Sequence, residues 1–125
     1  MYTYPALEPP VAEQLREPGT PYLSPALVGE LFGFQVQELA ERAHVHRNTL
    51  TARIQAPQLQ KYLQDMVRVL TVAMEMTGDE KRAAFLLRNE PLRAFNYKTA
   101  DTLVKEGRTD AVVAYLESLA GGAAG

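Results

Sequence analysis

The side chains best equipped for chemistry lie within residues 35–54, QVQELAERAHVHRNTLTARI. This stretch holds both histidines of the chain, His44 and His46, with Glu38 and Glu41 close by. A metal site needs three or four converging ligands, and these four have no recognised ligand spacing. Nucleophilic catalysis would need a nucleophile beside a histidine and a third group to orient it. Thr49 and Thr51 are near enough in sequence, but helix packing and DNA contact account for them. No glycine-rich phosphate loop occurs, because Gly121 and Gly122 follow a helix and precede none. The absence of cysteine removes a thiol nucleophile, a disulfide frame and a Cys-based zinc site. We expect no enzyme, no metal and no cofactor.

The chemistry that remains is recognition of bases and phosphates. Arg47 carries the paired donors that suit guanine, and Asn48 the donor and acceptor that suit adenine. Their neighbours set them on a helix. Val36, Leu39, Ala40 and Ala43 recur at the spacing of one buried helical face. Val45 falls in a turn, and Leu50 and Ile54 mark the apolar side of a second helix, leaving Arg47, Asn48, Thr49, Ala52 and Arg53 outward. That is the layout of a helix-turn-helix, whose second helix enters the major groove. His46 is expected to cap that helix or to meet a phosphate. The DNA-contacting set is therefore His46, Arg47, Asn48, Thr49, Ala52 and Arg53. A plain helical hairpin with its polar end in water is the competing interpretation. Two positions depart from the usual pattern: His44 stands where the turn normally has glycine, and Val36 where a glutamine often opens the first helix.

The flanking elements are punctuated clearly. Residues 1–23 contain Pro5, Pro9, Pro10, Pro18 and Pro21 and predict an irregular arm with a helical turn near residues 11–16. Tyr2, Tyr4, Tyr22 and Leu23 are expected to pin that arm. Ser24 and Pro25 start a helix whose apolar face is Leu27, Val28, Leu31 and Phe32 and whose end is Gly33. Pro57 interrupts the chain after the motif. Leu59, Tyr62, Leu63, Met66, Val69, Leu70, Ala73 and Met76 then predict a helix of about 18 residues ending at Gly78, a spine or a dimer seam, with Met74 and Met76 as core filler. Asp79 caps a helix through Asn89 with Ala83, Phe85, Leu86 and Leu87 as its apolar residues. Thr99 caps residues 100–106, ended by Gly107. Thr109 caps residues 110–120, with Val112, Val113, Leu116 and Leu119 inward and Gly121 as the stop. No useful length shows strand alternation, so the fold class expected is all-α.

A chain of 125 residues with 46% apolar content can bury one core. The net charge of −2 argues against a uniformly basic coat, yet charge is uneven: residues 81–108 hold seven basic groups against three acidic ones. No apolar run approaches the ~20 residues of a membrane span, and no signal peptide opens the chain. A cytoplasmic protein is expected.

The run RNEPLRAFNYKTADTLVKEGRTDAVVAYLESLAGG resembles the toxin-binding domain of the Xre/MbcA/ParS antitoxins, through Asn89, Leu92, Thr99, Leu103, Gly107 and the helix through Leu116 and Leu119. The preceding FGFQVQELAERAHVHRNTLTARI is similar to the family's helix-turn-helix. The family usually has a tryptophan before the Asn, a place we give to Phe85. Arg93, Ala94 and Phe95 replace a glycine-rich segment, and Thr99-Ala100 replaces Thr-Pro.

The resemblance implies an Xre-like helix-turn-helix bundle followed by a small helical toxin-binding domain. The expected division is an arm over 1–23, a DNA-binding region over 24–76 and a toxin-binding domain with its tail over 77–125. It also implies a type II antitoxin that plugs the active site of a RES-domain toxin that degrades NAD, and that binds its own operator DNA. The toxin-contacting set is Asn89, Arg93, Lys98, Tyr115, Ser118, Leu119, Ala120, Gly121 and Gly122. Tyr115, Ser118 and a flexible Ala/Gly tail are expected to project outward. A homodimer is expected, because symmetric operators are read by symmetric pairs. The alternative is a stand-alone transcriptional regulator whose C-terminal domain dimerises or senses a ligand.

Overall fold

Serine, proline and glycine set several helix boundaries. In the computed structural model, which describes residues 10–122, the chain is mainly helical, and no strand occurs among those residues. Tyr2, Tyr4, Pro5 and Pro9 of the arm and residues 123–125 of the tail lie outside the described residues. Val11–Gln14 forms one turn (α1), and Arg16 and Leu23 then meet in an isolated antiparallel bridge. Leu23 is buried, and Tyr22 is exposed.

Helix α2 spans Pro25–Phe32. The Ser24 hydroxyl accepts from the Leu27 N–H at 3.1 Å, and Pro25 occupies the first helical position. Gly33 ends it with φ of 75°. Glycine is needed there twice over, because a Cβ would also stand 3.0 Å from Arg88 Nη1. Helix α3, Val36–Ala43, opens with the Glu38 carboxylate accepting from the Gln35 N–H at 3.0 Å. Leu39, Ala40 and Ala43 are buried as expected, but Val36 is exposed. As the first residue of the helix it lies at the rim of a groove shared with Pro25, Phe34 and Leu50.

Helix α4 is a single turn, Thr49–Ala52, and does not continue to Ile54. Arg53 leaves helical geometry at φ −144°, ψ 59°, and the half-buried Ile54 sits in the following turn. Helix α5, Pro57–Thr77, has 21 residues, and Pro57 begins it rather than interrupting the chain. Leu59, Leu63, Met66, Val69 and Leu70 have no exposed surface. Met76, at the last turn, is exposed instead of filling the core.

Helix α6 is Glu80–Asn89, capped by Asp79, whose carboxylate accepts from the Lys81 N–H at 3.0 Å. Ala83, Ala84 and Leu87 face inward, whereas Phe85 is 64% exposed. It lies two residues from both Ala83 and Leu87, and at ~100° per residue that places it on the far side. A 3-10 turn, Arg93–Phe95, leads to α7, Ala100–Lys105, and α8, Thr109–Gly122. Thr109 is inside α8, not its cap: Arg108 C=O takes the Val112 N–H at 3.2 Å. Gly121 does not stop the helix, which runs on to Gly122.

Helix α5 packs against α1, α3, α6, α7 and α8. One apolar core runs from Val11 to Leu116. Buried Gln60 ties the rest to this spine: its side-chain oxygen accepts from Leu23 N–H at 3.0 Å, and its amide donates to Leu23 C=O at 3.0 Å and Ile54 C=O at 2.7 Å. The spine therefore holds the arm and the segment after α4 in register.

Candidate functional site

Two surfaces and a polar clamp between them carry the chemistry. The first surface is the turn and short helix at residues 44–53. His44 takes the left-handed conformation at the end of α3, φ 58° and ψ 41°, which the turn requires and which glycine more often supplies. Its Nε2 lies 3.1 Å from the Lys105 carbonyl, a contact that offsets the strain. His46 is not the N-cap of α4; Asn48 holds that position. His46 C=O instead accepts from Thr49 N–H at 2.9 Å, and its Nδ1 from Asn48 N–H at 3.1 Å, so residues 46–48 form a tight turn that leads into α4. His46, Arg47, Asn48, Ala52 and Arg53 are exposed together, with Thr49 half-buried beside them. Leu50 is buried and anchors the turn.

Behind this surface lies the clamp. The Phe34 ring is flanked by the guanidinium groups of Arg42, 4.6 Å from its centroid, and Arg88, at 4.8 Å. Glu38 pairs with Arg88 at 2.9 Å and approaches Arg42 at 4.0 Å. Arg42 pairs at 2.9 Å with Asp101, which is only 1% exposed. Arg88 donates to Phe32 C=O at 3.1 Å and also to Gly33 C=O. The Gln35 amide, ahead of the two arginines, holds the Glu38 carboxyl below its ordinary range. Helix α3 is thus bonded to α6 and α7 by charge as well as by packing. Sequence reasoning missed Glu38, Arg42, Arg88 and Asp101 as a unit, since 50 residues and more separate the halves of each long-range pair.

The second surface is the outer side of the C-terminal helices. Asn89 turns its side-chain amide back to Phe85 C=O at 2.9 Å. Arg93 is exposed in the 3-10 turn, and Lys98 pairs with Glu106 at 2.7 Å. Tyr115 does not project freely: it is half-buried and meets Phe95 edge-on at 5.5 Å, with Arg108 5.1 Å from that ring. Ser118 is exposed, its hydroxyl donating to Tyr115 C=O at 2.7 Å. Leu119, expected inward, is 44% exposed beside a groove with Met76, Leu86, Leu92 and Leu116. Ala120 and Gly121 are exposed beyond it, and Gly122 ends the helix. Tyr97 went unnoticed in the sequence; it is exposed and, with Asn96, holds a left-handed backbone that tyrosine seldom adopts.

Residues 72–122 match the family model described as the antitoxin Xre/MbcA/ParS C-terminal toxin-binding domain. Over those residues the chain is similar to that family. No curated protein and no solved structure matched the chain. The toxin-binding domain so defined begins inside α5 and contains all of α6, α7 and α8. Every residue of the second surface falls within it. An antitoxin role follows for the chain, with a toxin as partner. Among the described residues no group of three His, Asp or Glu side chains is placed to hold a metal ion. No described helix is long and apolar enough to cross a membrane.

Proposed function

We propose that the chain is a non-enzymatic type II antitoxin whose partner is a RES-domain toxin that degrades NAD. The observation that carries this is the toxin-binding domain over 72–122 together with the exposed end of its last helix, Leu119, Ala120 and Gly121. Small residues there leave a slim segment that enters a narrow cleft and keeps NAD out. Asn89, Arg93, Lys98, Tyr115, Ser118 and Gly122 complete the contact set, with Arg93 and Lys98 meeting acidic groups at the cleft rim.

We assign operator binding to His46, Arg47, Asn48, Thr49, Ala52 and Arg53, and place residues 24–76 and 77–125 on either side of that division of labour. The turn at 46–48 and the single turn of α4 present these side chains on one exposed patch. Its place beside the toxin-binding domain suits a protein that represses its own operon in the cytoplasm.

The experiment is co-expression with a RES-domain toxin. Removing residues 120–125 deletes the exposed Ala120 and Gly121 and no part of the described core. Folding and DNA binding should therefore be retained. Protection of cells, and of their NAD, should be lost. Full protection by the truncated chain would refute the plug and shift inhibition to the surface around Asn89 and Tyr97.

A further inference from the structure

A cavity of about 260 Å³ lies where the proposed DNA-binding turn meets the toxin-binding domain. Its walls come from three elements: the end of α3 with His44, the first turns of α5 with Lys61 and Tyr62, and the junction of α7 and α8 with Lys105 and Thr109. Sites for drug-sized ligands run from roughly 300 to 1,000 Å³, so this one suits a smaller guest.

Three observations on its walls agree. First, the hydroxyls of Tyr62 and Thr109 are buried with no hydrogen-bond partner among the described residues, on side chains only 5% and 4% exposed. They are the only buried side-chain polar atoms so orphaned among the described residues, and both residues line this cavity. A buried donor without an acceptor is costly, so two in one wall mark a place where an acceptor belongs. Burial holds the Tyr62 phenol well above its ordinary range, so it stays a donor at any physiological pH.

Second, most charges around the cavity are already matched. Arg42 is held by Asp101, Lys61 by Asp65 at 2.8 Å and Asp110 by Arg68 at 2.5 Å. Lys105 has no acidic partner among the described residues, so the surplus is positive. Third, the N-terminus of the 14-residue α8 opens here. Its first amides precede the Val112 N–H that closes the first helical bond, and such amides favour an anion.

We infer that this cavity is a binding site for a phosphate group, free or carried on a small metabolite. Lys105 and the α8 amides take its charge, and Tyr62 and Thr109 donate to its oxygens. The site touches both working halves of the chain, and it is distinct from the proposed toxin plug and from the operator surface.

The test uses the full chain and two probes, inorganic phosphate and glycerol phosphate, against chloride at equal ionic strength. Thermal unfolding is followed alongside amide chemical shifts of Lys105, Gly107 and Asp110. A ligand that binds only the folded state raises the melting temperature. A rise with local shift changes supports the site, and the stronger of the two probes identifies the source of the phosphate. Lys105→Ala should weaken binding about tenfold or more, the loss expected of one charge-assisted hydrogen bond.

Thr109→Val separates a site from a mere packing flaw. It removes an orphaned hydroxyl, so the chain without phosphate should melt higher, while the gain on adding phosphate should disappear. No response to either probe, or a response that survives both variants, overturns the inference. Neither outcome depends on toxin neutralisation.

Discussion

Arg47 and Arg53 sit on one exposed patch, and in the proposed DNA contact they have different parts. Arg47 lies in the turn that opens the patch, with no partner among the described residues, and can reach base edges. Arg53 follows α4 just outside helical geometry, where a phosphate contact is the natural use. On the operator of its own operon, Arg47→Ala should cost roughly 1–3 kcal/mol and relax sequence choice. Arg53→Ala should lower affinity evenly across sequences and flatten the salt dependence by about one unit. Salt titrations of binding to operator and to scrambled DNA separate the two. If both variants bind as tightly as the parent, the pair α3–α4 is a structural hairpin and the DNA assignment fails. His44 tells the same lesson about local chemistry: a left-handed residue that is not glycine persists because its ring finds the Lys105 carbonyl.

At the scale of elements, the clamp makes α3 depend on α7. Arg42→Ala leaves the Asp101 carboxylate buried without its cation and should cost roughly 3–5 kcal/mol. Asp101→Ala should cost less, since Arg42 keeps the Phe34 ring and the approach of Glu38. Urea titrations measure both, and equal or reversed losses would show that the pair is not the clamp's centre. Helix periodicity and caps made most of these elements legible beforehand: the Ser24-Pro25 start, Gly33, Gly78 and the Asp79 cap all stand where expected. The misses have a common cause. Leu119, Phe85, Val36 and Met76 are apolar residues that the neighbouring helices leave uncovered, and periodicity within one helix says nothing about what covers it. Thr109 was expected to cap the last helix; its hydroxyl is instead orphaned inside α8. The exposure of His46, Arg47, Asn48, Ala52 and Arg53 on one patch could be read because they are close in sequence, and the clamp and the cavity could not.

For the molecule as a whole, the α3–α4 pair alone would offer DNA few contacts, and a homodimer is the DNA-binding form we propose. Of the α5 residues expected to form a spine or a seam, Leu59, Tyr62, Leu63, Met66, Val69, Leu70 and Ala73 are buried inside the chain and Met76 is exposed. Light scattering at micromolar concentration should give twice the 13.9 kDa of the chain. A strictly monomeric mass, with and without toxin, would exclude the dimer. The same helix has a consequence for how such proteins diversify. The family's domain opens at residue 72, part-way along a rod of ~31 Å whose earlier turns carry Leu63, Met66 and Val69. A genetic exchange cut at that boundary would join two half-helices from different parents, each selected against another partner's packing. Inheriting a new toxin specificity as a ready-made block is therefore disfavoured. On the proposed toxin contact, a change of toxin is easier by point substitution on the outer side of α8, at the exposed Ser118 and Ala120, which lie clear of the buried core.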